Sequence, residues 1–192
     1  NFIGIIGIFV LLGLAWLMSY NKKNIPFKII FWGIGLQFLF AVIIIKENYL
    51  KQLAIGKKLG AFSLSEPQSG SDASNMNTSA KKVGDDYIIT GTKNWVTNGI
   101  NSDIVIVFAI TEKGIGHKGI SCFIVEKGCK GFDVGKPENK LGIRASDTSE
   151  LYFENVKVPI KNLIGEEGAG FKIALSTLDG GRIGIASQAL GI

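Results

Sequence analysis

The sequence has very few of the residues from which metal sites, catalytic triads and disulfide frameworks are built. His117 is the only histidine in 192 residues, so a histidine-rich metal site or a Ser-His-Asp triad would have to be built around it. The two cysteines, Cys122 and Cys129, match neither a disulfide framework nor a zinc-ligand spacing. We therefore expect two free thiols in a reducing compartment, no metal site, and a solvated histidine in the Gly/Lys loop 114–119.

Acidic residues are absent from the first part of the chain. Residues 1–46 contain four lysines and no Asp or Glu, whereas the remaining residues contain 17 basic and 16 acidic side chains. Most of the net charge of +5 therefore belongs to the apolar end, which is typical of membrane-flanking lysines and argues against nucleic-acid binding. Hydrophobic residues make up 46% of the chain, which excludes a disordered protein and is high for a purely soluble domain.

Two long segments near the beginning of the chain have almost no charge. Residues 2–18 have none, and residues 25–45 are interrupted only by Pro26, Lys28 and Gln37. Both segments approach the length of a bilayer-spanning helix, and the polar residues 19–24 between them can reverse the chain. We therefore predict a transmembrane helical hairpin over residues 1–46, with two buried helices of a soluble domain as the alternative.

A change in composition after Ile45 marks a domain boundary. Residues 47–59 are polar and are interpreted as a helical remnant or linker, whereas residues 60–163 alternate short apolar segments with glycine-rich turns. Segments rich in β-branched and aromatic residues predict strands at 87–90, 104–110, 120–125 and 151–153. This spacing is typical of an all-β domain built as a small barrel or sandwich.

The hydrophobic period changes again at Gly168. Apolar residues between 171 and 178 have helical spacing, and residues 183–192 continue as a second helical stretch. We interpret residues 164–192 as the start of a C-terminal helical domain. Because the chain begins at Asn1 without an initiator Met and ends inside a predicted helix, we expect it to be a fragment.

Two polar segments are candidates for cofactor binding. Residues 62–72 follow a predicted strand and crowd hydroxyls, a glycine and backbone amides into one loop, which can bind a polar ring edge and a phosphate or can be an ordinary Ser/Gly turn. Residues 94–99 end a second strand, where alternation places Trp95 and Thr97 on the same face. A large flat side chain beside a hydroxyl suits a flat heteroaromatic cofactor.

With these two segments the sequence resembles the acyl-CoA dehydrogenase family. The resemblance covers residues 49–192 and is closest to the short-chain, butyryl-type members. Its motifs, in order, are LSEPxxGSD (64–72), GTKNWVTNG (91–99), KLGIRAS (140–146), VPxxNLIG (158–165) and LDGGRIGIA (178–186). The resemblance implies that residues 60–163 are a β-barrel middle domain that binds flavin and acyl-CoA, although Gln68 stands where the family usually has glycine.

The resemblance also implies particular site residues. Trp95 would cover one face of the flavin of FAD, and Thr97 would form a hydrogen bond near its N5 atom. The implied FAD-binding residues are Phe62, Leu64, Ser65, Gly70, Ser71, Trp95, Val96 and Thr97. The implied substrate-binding residues are Ser71, Asp179, Gly180, Gly181 and Arg182.

The activity implied by the family is FAD-dependent α,β-dehydrogenation of a short-chain acyl-CoA in fatty acid β-oxidation. Electron-transferring flavoprotein would be the redox partner, and the family forms homo-oligomers. The family's catalytic base is a glutamate from later C-terminal helices that this chain lacks, so no residue here is assigned as catalytic. We therefore expect an oxidoreductase fragment that is inactive alone.

The apolar N-terminal part has a separate resemblance. Residues 7–19, 25–26 and 31–41 are similar to the amino end of concentrative nucleoside transporters. The chain therefore looks like a fusion near residues 45 and 46, and the alternative functions are a membrane module with the β-domain as a passenger, or an artefactual gene fusion. The two parts indicate different locations, cytoplasmic for the flavin domain and membrane-associated for residues 2–45.

Overall fold

The computed structural model describes the chain from residue 47 to residue 191, and side chains from residue 49 onward. The predicted transmembrane hairpin, residues 1–46, lies outside this range. Between residues 47 and 191 no helix combines the length and the apolar character that crossing a bilayer requires.

The described residues form a short helix, a sheet and a longer helix. Helix α1 spans Glu47–Ala54 and helix α2 spans Gly170–Gly191. The strands are β1 (Gly60–Ser63), β2 (Ser79–Val83), β3 (Asp86–Thr97), β4 (Ile104–Ile110), β5 (Ile120–Glu126), β6 (Phe132–Pro137), β7 (Thr148–Pro159) and β8 (Leu163–Ile164). Single 3₁₀ turns at Gly116–Gly119 and Ile160–Asn162 precede β5 and β8.

All eight strands belong to one sheet. Its order is β6-β7-β3-β2-β4-β5-β8, and β1 pairs in parallel with β4 outside this path. The longest pairing joins β3 to β7 in antiparallel register, from Asp86 opposite Pro159 to Thr97 opposite Thr148. The sheet-rich domain followed by a helix is therefore confirmed, whereas the strand pairings between residues 60 and 164 trace an open path and do not close the expected barrel.

The sheet has an apolar core on both faces. One cluster contains Ile89, Val107 and Phe123, and the second contains Phe108 and Cys122, all of them fully buried. Side chains of α1 and α2 pack on the second cluster, including Leu53, Ile173 and Leu178. Because β4 and β5 contribute to both clusters, both strands are continuous apolar runs without the polar alternation of a half-exposed strand.

The predicted strands are present, but two are longer than their apolar segments. Residues 87–90 and 151–153 lie within β3 and β7, each of 12 residues. Pairing between the two strands extends them into polar sequence, part of which, including Lys93 and Ser149, is buried. The two predicted helical stretches after Gly168 form the single helix α2, whose first turns pack on β5 while residues 181–190 are exposed.

Candidate functional site

A pocket opens where the ends of β1 and β3 meet the side of α2. Its volume is about 430 Å³. The lining residues are Gly60, Ala61, Phe62, Leu64, Ser65, Asn94, Trp95, Thr97, Asn98 and Leu178. The fold thus brings the two polar segments together around one cavity, together with one side chain from α2.

Trp95 is presented to the pocket by a β-bulge. Lys93 lies opposite Leu151 and Val96 lies opposite Ser149, so two residues of β3 face a single residue of β7. Trp95 has a φ of 59°, in the left-handed region that bulky residues rarely adopt. A bulge re-aims side chains, and here the Trp95 ring is 62% exposed while Val96 is buried in the core.

The loop after β1 is attached to this bulge through its backbone. The Asn94 N–H donates to the Ser65 carbonyl oxygen at 2.9 Å. Within the loop, Glu66 and Ser69 exchange two backbone hydrogen bonds of 2.8 and 3.0 Å, and the Ser69 hydroxyl donates to the Asp72 carbonyl at 2.8 Å. The loop is therefore a well-bonded turn beside the pocket.

A buried ion pair joins the loop to β3. The Lys93 ammonium lies 2.7 Å from Glu66 Oε1 and donates to the Leu64 carbonyl oxygen at 3.2 Å, with both charged side chains almost fully buried. The Glu66 carboxylate also accepts the backbone N–H groups of Asn77 (2.6 Å) and Thr78 (3.1 Å). Gln68, the departure from the family pattern, donates to the same carboxylate at 2.8 Å.

Burial and charge act in opposite directions on this pair. Burial alone raises the pKa of Glu66, but the Lys93 ammonium and the surrounding N–H donors overcome it and hold that pKa below its usual value. Burial lowers the pKa of Lys93, and the Glu66 carboxylate only partly opposes this shift. The carboxylate is thus kept ionised inside the protein.

Sequence reasoning did not assign a role to this pair. Lys93 and Glu66 both stand in the family motifs, but no acidic residue could be given a function from the sequence. One signal was available: before the bulge, Lys93 is in phase with the buried residues Tyr87 and Ile89 along β3. A lysine at a core position needs a buried partner, and a nearby loop glutamate is the natural one.

Asn94 carries an unpartnered polar atom at the pocket. Its Nδ2 donates to Glu150 Oε1 at 2.9 Å, while its Oδ1 is buried without a hydrogen-bond partner among the described residues. Buried polar atoms usually have a partner, so this oxygen is a candidate acceptor for a bound group. An exposed Trp95 ring, the Thr97 hydroxyl and this amide oxygen fit a flat heteroaromatic group with a polar edge.

Not every predicted site residue lines the pocket. Phe62, Leu64, Ser65, Trp95 and Thr97 do, whereas Val96 faces the core. Gly70 and Ser71 are exposed on the outer part of the loop. From the predicted substrate segment, Asp179 and Arg182 form an exposed ion pair of 2.5 Å on α2, one turn beyond Leu178. The cofactor and substrate roles of all these residues stay predictions.

Two carboxylates that are bonded to pocket segments, Glu66 and Glu150, are engaged elsewhere. Glu66 is paired with Lys93, and Glu150 accepts hydrogen bonds from Asn94 and from Tyr152. Among the residues that the structure describes, no acidic side chain lines the pocket.

The cysteines and the histidine lie away from the pocket. Both cysteines are free thiols, as expected, and burial raises the pKa of Cys122 to about 12. His117 is exposed but packs its ring 5.4 Å from that of Phe171, at the start of α2. A helix side chain therefore covers part of the histidine that was expected to be only solvated.

Comparison with known proteins finds two separate family models along the chain. Residues 61–156, half of the chain, match the family model "Acyl-CoA dehydrogenase, middle domain". Residues 6–56 match the model "Na+ dependent nucleoside transporter N-terminus".

Individual relatives agree with the first match. The short-chain specific acyl-CoA dehydrogenase of Clostridium acetobutylicum is 56% identical over 147 residues, which is 77% of this chain and 39% of that protein. The mitochondrial short-chain enzyme of Rattus norvegicus is 50% identical over 147 residues, with 77% and 36% covered. The structure of butyryl-CoA dehydrogenase from Megasphaera elsdenii superimposes with a TM-score of 0.74 at 55% identity, over 76% of this chain and 38% of that one.

The chain thus spans well under half the length of these relatives. The family model nevertheless matches the whole sheet region from β1 into β7, including the loop and the bulge that form the pocket. On this evidence the chain belongs to the acyl-CoA dehydrogenase family.

Proposed function

We propose that this chain is the flavin- and acyl-CoA-binding part of an acyl-CoA dehydrogenase-like oxidoreductase that acts on short-chain acyl-CoA. The observation that carries the proposal is the pocket itself, because the two loops of the family motifs line one cavity with an exposed tryptophan. The identity to short-chain enzymes over the same residues supports the substrate class.

FAD is the proposed cofactor, held by Phe62, Leu64, Ser65, Gly70, Ser71, Trp95, Val96 and Thr97. The Trp95 ring would cover one flavin face, and the burial of its exposed surface favours binding by the hydrophobic effect. Val96 is buried, so it would contribute through its backbone, while the Thr97 hydroxyl would meet the polar edge of the ring. The exposed residues Gly70 and Ser71 would reach the phosphates.

The acyl-CoA would bind on the α2 side of the pocket. Leu178 already lines the cavity, and the proposed substrate-binding residues of the next turn are Asp179, Gly180, Gly181 and Arg182, together with Ser71 of the loop. The Asp179–Arg182 ion pair is exposed, and such pairs contribute little to stability, so its side chains can rearrange around a ligand at low cost.

Bound FAD would supply the acceptor for the hydride that leaves the β-carbon of the substrate. The accompanying removal of the α-proton requires a base placed at the substrate. Since no described carboxylate lines the pocket and Glu66 is held by Lys93, we propose that the chain binds cofactor and ligand but does not turn over alone. The proposed partners are electron-transferring flavoprotein and further copies of the chain. The first is supported by a structure described as the electron transferring flavoprotein of Acidaminococcus fermentans, which contains a chain that is 54% identical to this one and superimposes with a TM-score of 0.74.

The direct test is a titration of the full chain, kept in detergent because residues 2–45 are apolar, with FAD. Quenching of flavin and tryptophan fluorescence should report a saturable but weak complex, because a pocket with only part of its walls loses contact energy while the ordering cost of binding remains. The absence of saturable binding up to millimolar FAD would contradict the proposal. A tight stoichiometric complex would contradict the expectation that the complex is weak.

A second function, favoured by the match of residues 6–56 to a transporter N-terminus, is a membrane module that carries the β-domain as a passenger. Removal of residues 1–46 separates the two. The flavin-binding function predicts a more soluble protein with unchanged FAD affinity, whereas the membrane function predicts that any activity is lost with those residues. An incidental fusion predicts that the truncated and full-length chains bind FAD equally and that no activity depends on residues 1–46.

A further inference from the structure

The buried pair Glu66–Lys93 connects three segments next to the pocket. The Lys93 ammonium bonds the Glu66 carboxylate and the Leu64 carbonyl, and the carboxylate in turn accepts the N–H groups of Asn77 and Thr78. Leu64 lines the pocket, and Lys93 is the residue directly before the Asn94–Trp95 bulge. A single charged pair therefore links the loop, the segment before β2 and the bulge.

A buried ion pair is weak evidence for a stabilising role. The desolvation of both charges offsets most of their attraction, and replacing such a pair with uncharged groups of similar volume is often neutral or stabilising. Here the opposing effects of burial and charge are visible in both partners. A reason other than stability is therefore needed for its presence beside a binding pocket.

Geometry provides that reason. The loop residues Leu64 and Ser65 are held at β3 by two bonds, one from the Lys93 ammonium to Leu64 O and one from the Asn94 N–H to Ser65 O. Only the bond to Leu64 is donated by a side chain. It therefore depends on the Lys93 ammonium and on the Glu66 carboxylate that positions this ammonium. Both bonds join the loop wall of the cavity to the strand that carries Trp95.

We infer that Glu66 and Lys93 are positioning residues for the pocket, which hold the Leu64–Ser65 backbone against the Trp95 bulge. The expected effect on FAD affinity rests on the proposed function, because the pocket wall that Glu66 and Lys93 position is the one assigned to the flavin. It predicts that pocket geometry and protein stability respond differently to removal of the pair.

The test compares four variants of the full chain: Glu66→Gln, Lys93→Met, the double variant of both, and the matched control Asp86→Asn/Lys157→Met. The control removes an ion pair of 3.0 Å between β3 and β7, in which Lys157 is exposed and Asp86 is partly buried, and it leaves the loop untouched. In the double variant, Gln keeps an oxygen for the Asn77 and Thr78 N–H groups and Met fills the volume of Lys93, so no buried charge is left alone.

We expect Lys93→Met alone to lower the melting temperature by about 10 °C, because it leaves a buried carboxylate without its cation. The double variant should recover at least half of that loss. Its FAD dissociation constant should nevertheless be at least about tenfold higher than that of the parent chain. Hydrogen exchange of peptides covering residues 60–72 and 91–98, measured without flavin, should be faster than in the parent, and the control should change neither property.

Other results overturn the inference. If the double variant has the stability, the FAD affinity and the hydrogen exchange of the parent chain, the pair is dispensable. If the double variant does not recover stability, the pair is an ordinary structural interaction. If the parent chain does not bind FAD, the proposed function fails, and the positioning role is then tested by hydrogen exchange alone. Faster exchange of the loop in a double variant that has regained stability supports the positioning role. Unchanged exchange overturns it.

Discussion

The backbone N–H of Asn94 donates a hydrogen bond of 2.9 Å to the carbonyl oxygen of Ser65. This bond joins the bulge of β3 to the loop after β1, and both of its residues line the pocket together with Trp95 and Leu64. A change in either segment is therefore expected to alter the other, because neither wall of the cavity is built independently.

The first prediction concerns the strained residue at the bulge. Trp95→Ala and Trp95→Gly should both weaken FAD binding by about tenfold, because each removes the aromatic surface of the pocket. Their stabilities should differ, since glycine adopts a positive φ without the cost of about 1–2 kcal/mol that a side chain meets there. Thermal unfolding should therefore give a higher melting temperature for Trp95→Gly; equal values would show that the bulge is not strained.

The second prediction compares two glycines of one turn, between β5 and β6. Gly128 and Gly131 both have positive φ, of 88° and 83°. A Cβ at Gly131 would lie 2.1 Å from the Glu154 carbonyl oxygen, whereas a Cβ at Gly128 meets nothing within 4 Å. Gly131→Ala should therefore cost about 1–3 kcal/mol more unfolding free energy than Gly128→Ala. Denaturant unfolding that gave equal costs would contradict the close approach of β7 to this turn.

The third prediction is a pH dependence of stability carried by Glu66. Its pKa in the folded chain lies below the ordinary value of 4.5, so the unfolded chain takes up the proton first as the pH falls. The stability that Glu66 contributes is present above that value and is lost as the pH falls through the folded pKa. Glu66→Gln should flatten the decline of melting temperature in acid. Asp86→Asn provides the charge-matched comparison, and equal flattening by both variants would argue against Glu66 as the source.

The fourth prediction separates the two thiols. Cys122 is fully buried with a pKa raised to about 12, whereas Cys129 is only half-buried. The thiolate is the reactive form, so maleimide labelling of the native chain at neutral pH should modify Cys129 and spare Cys122 until the protein unfolds. Mass spectrometry of the labelled peptides measures this, and rapid labelling of Cys122 would mean that β5 opens readily.

The fifth prediction is that the purified chain does not dehydrogenate butyryl-CoA at a useful rate with a dye acceptor. Loss of a general base typically costs a factor of about 10²–10⁴, and poor orientation of the acyl chain adds to it. Addition of FAD should not raise turnover above the background rate. Robust turnover that disappears in Asp179→Asn, while the control Asp86→Asn stays active, would identify a base within this chain and contradict the prediction.

The sequence alone determined the coarse arrangement of the described region. The apolar segments of β4 and β5, rich in β-branched and aromatic residues, predict strands, and Gly168 predicts the change from strands to helix, because hydrophobic period and turn chemistry are local properties. The motifs at 64–72 and 91–99 likewise indicated where the pocket residues are and to which family they belong. Residues 1–46 were assigned only from their apolar length, and that hairpin stays a prediction.

The tertiary structure decided what lies between those elements. The bulge at Asn94 and Trp95 exists because β3 must keep register with β7 on both sides of it, and that register is set by strand pairing far along the chain. The partnership of Glu66 with Lys93 arises only when the loop folds onto β3, where the two buried charges come within 2.7 Å of each other. Local sequence can place a lysine at a core position, but only the packed fold determines which carboxylate neutralises it.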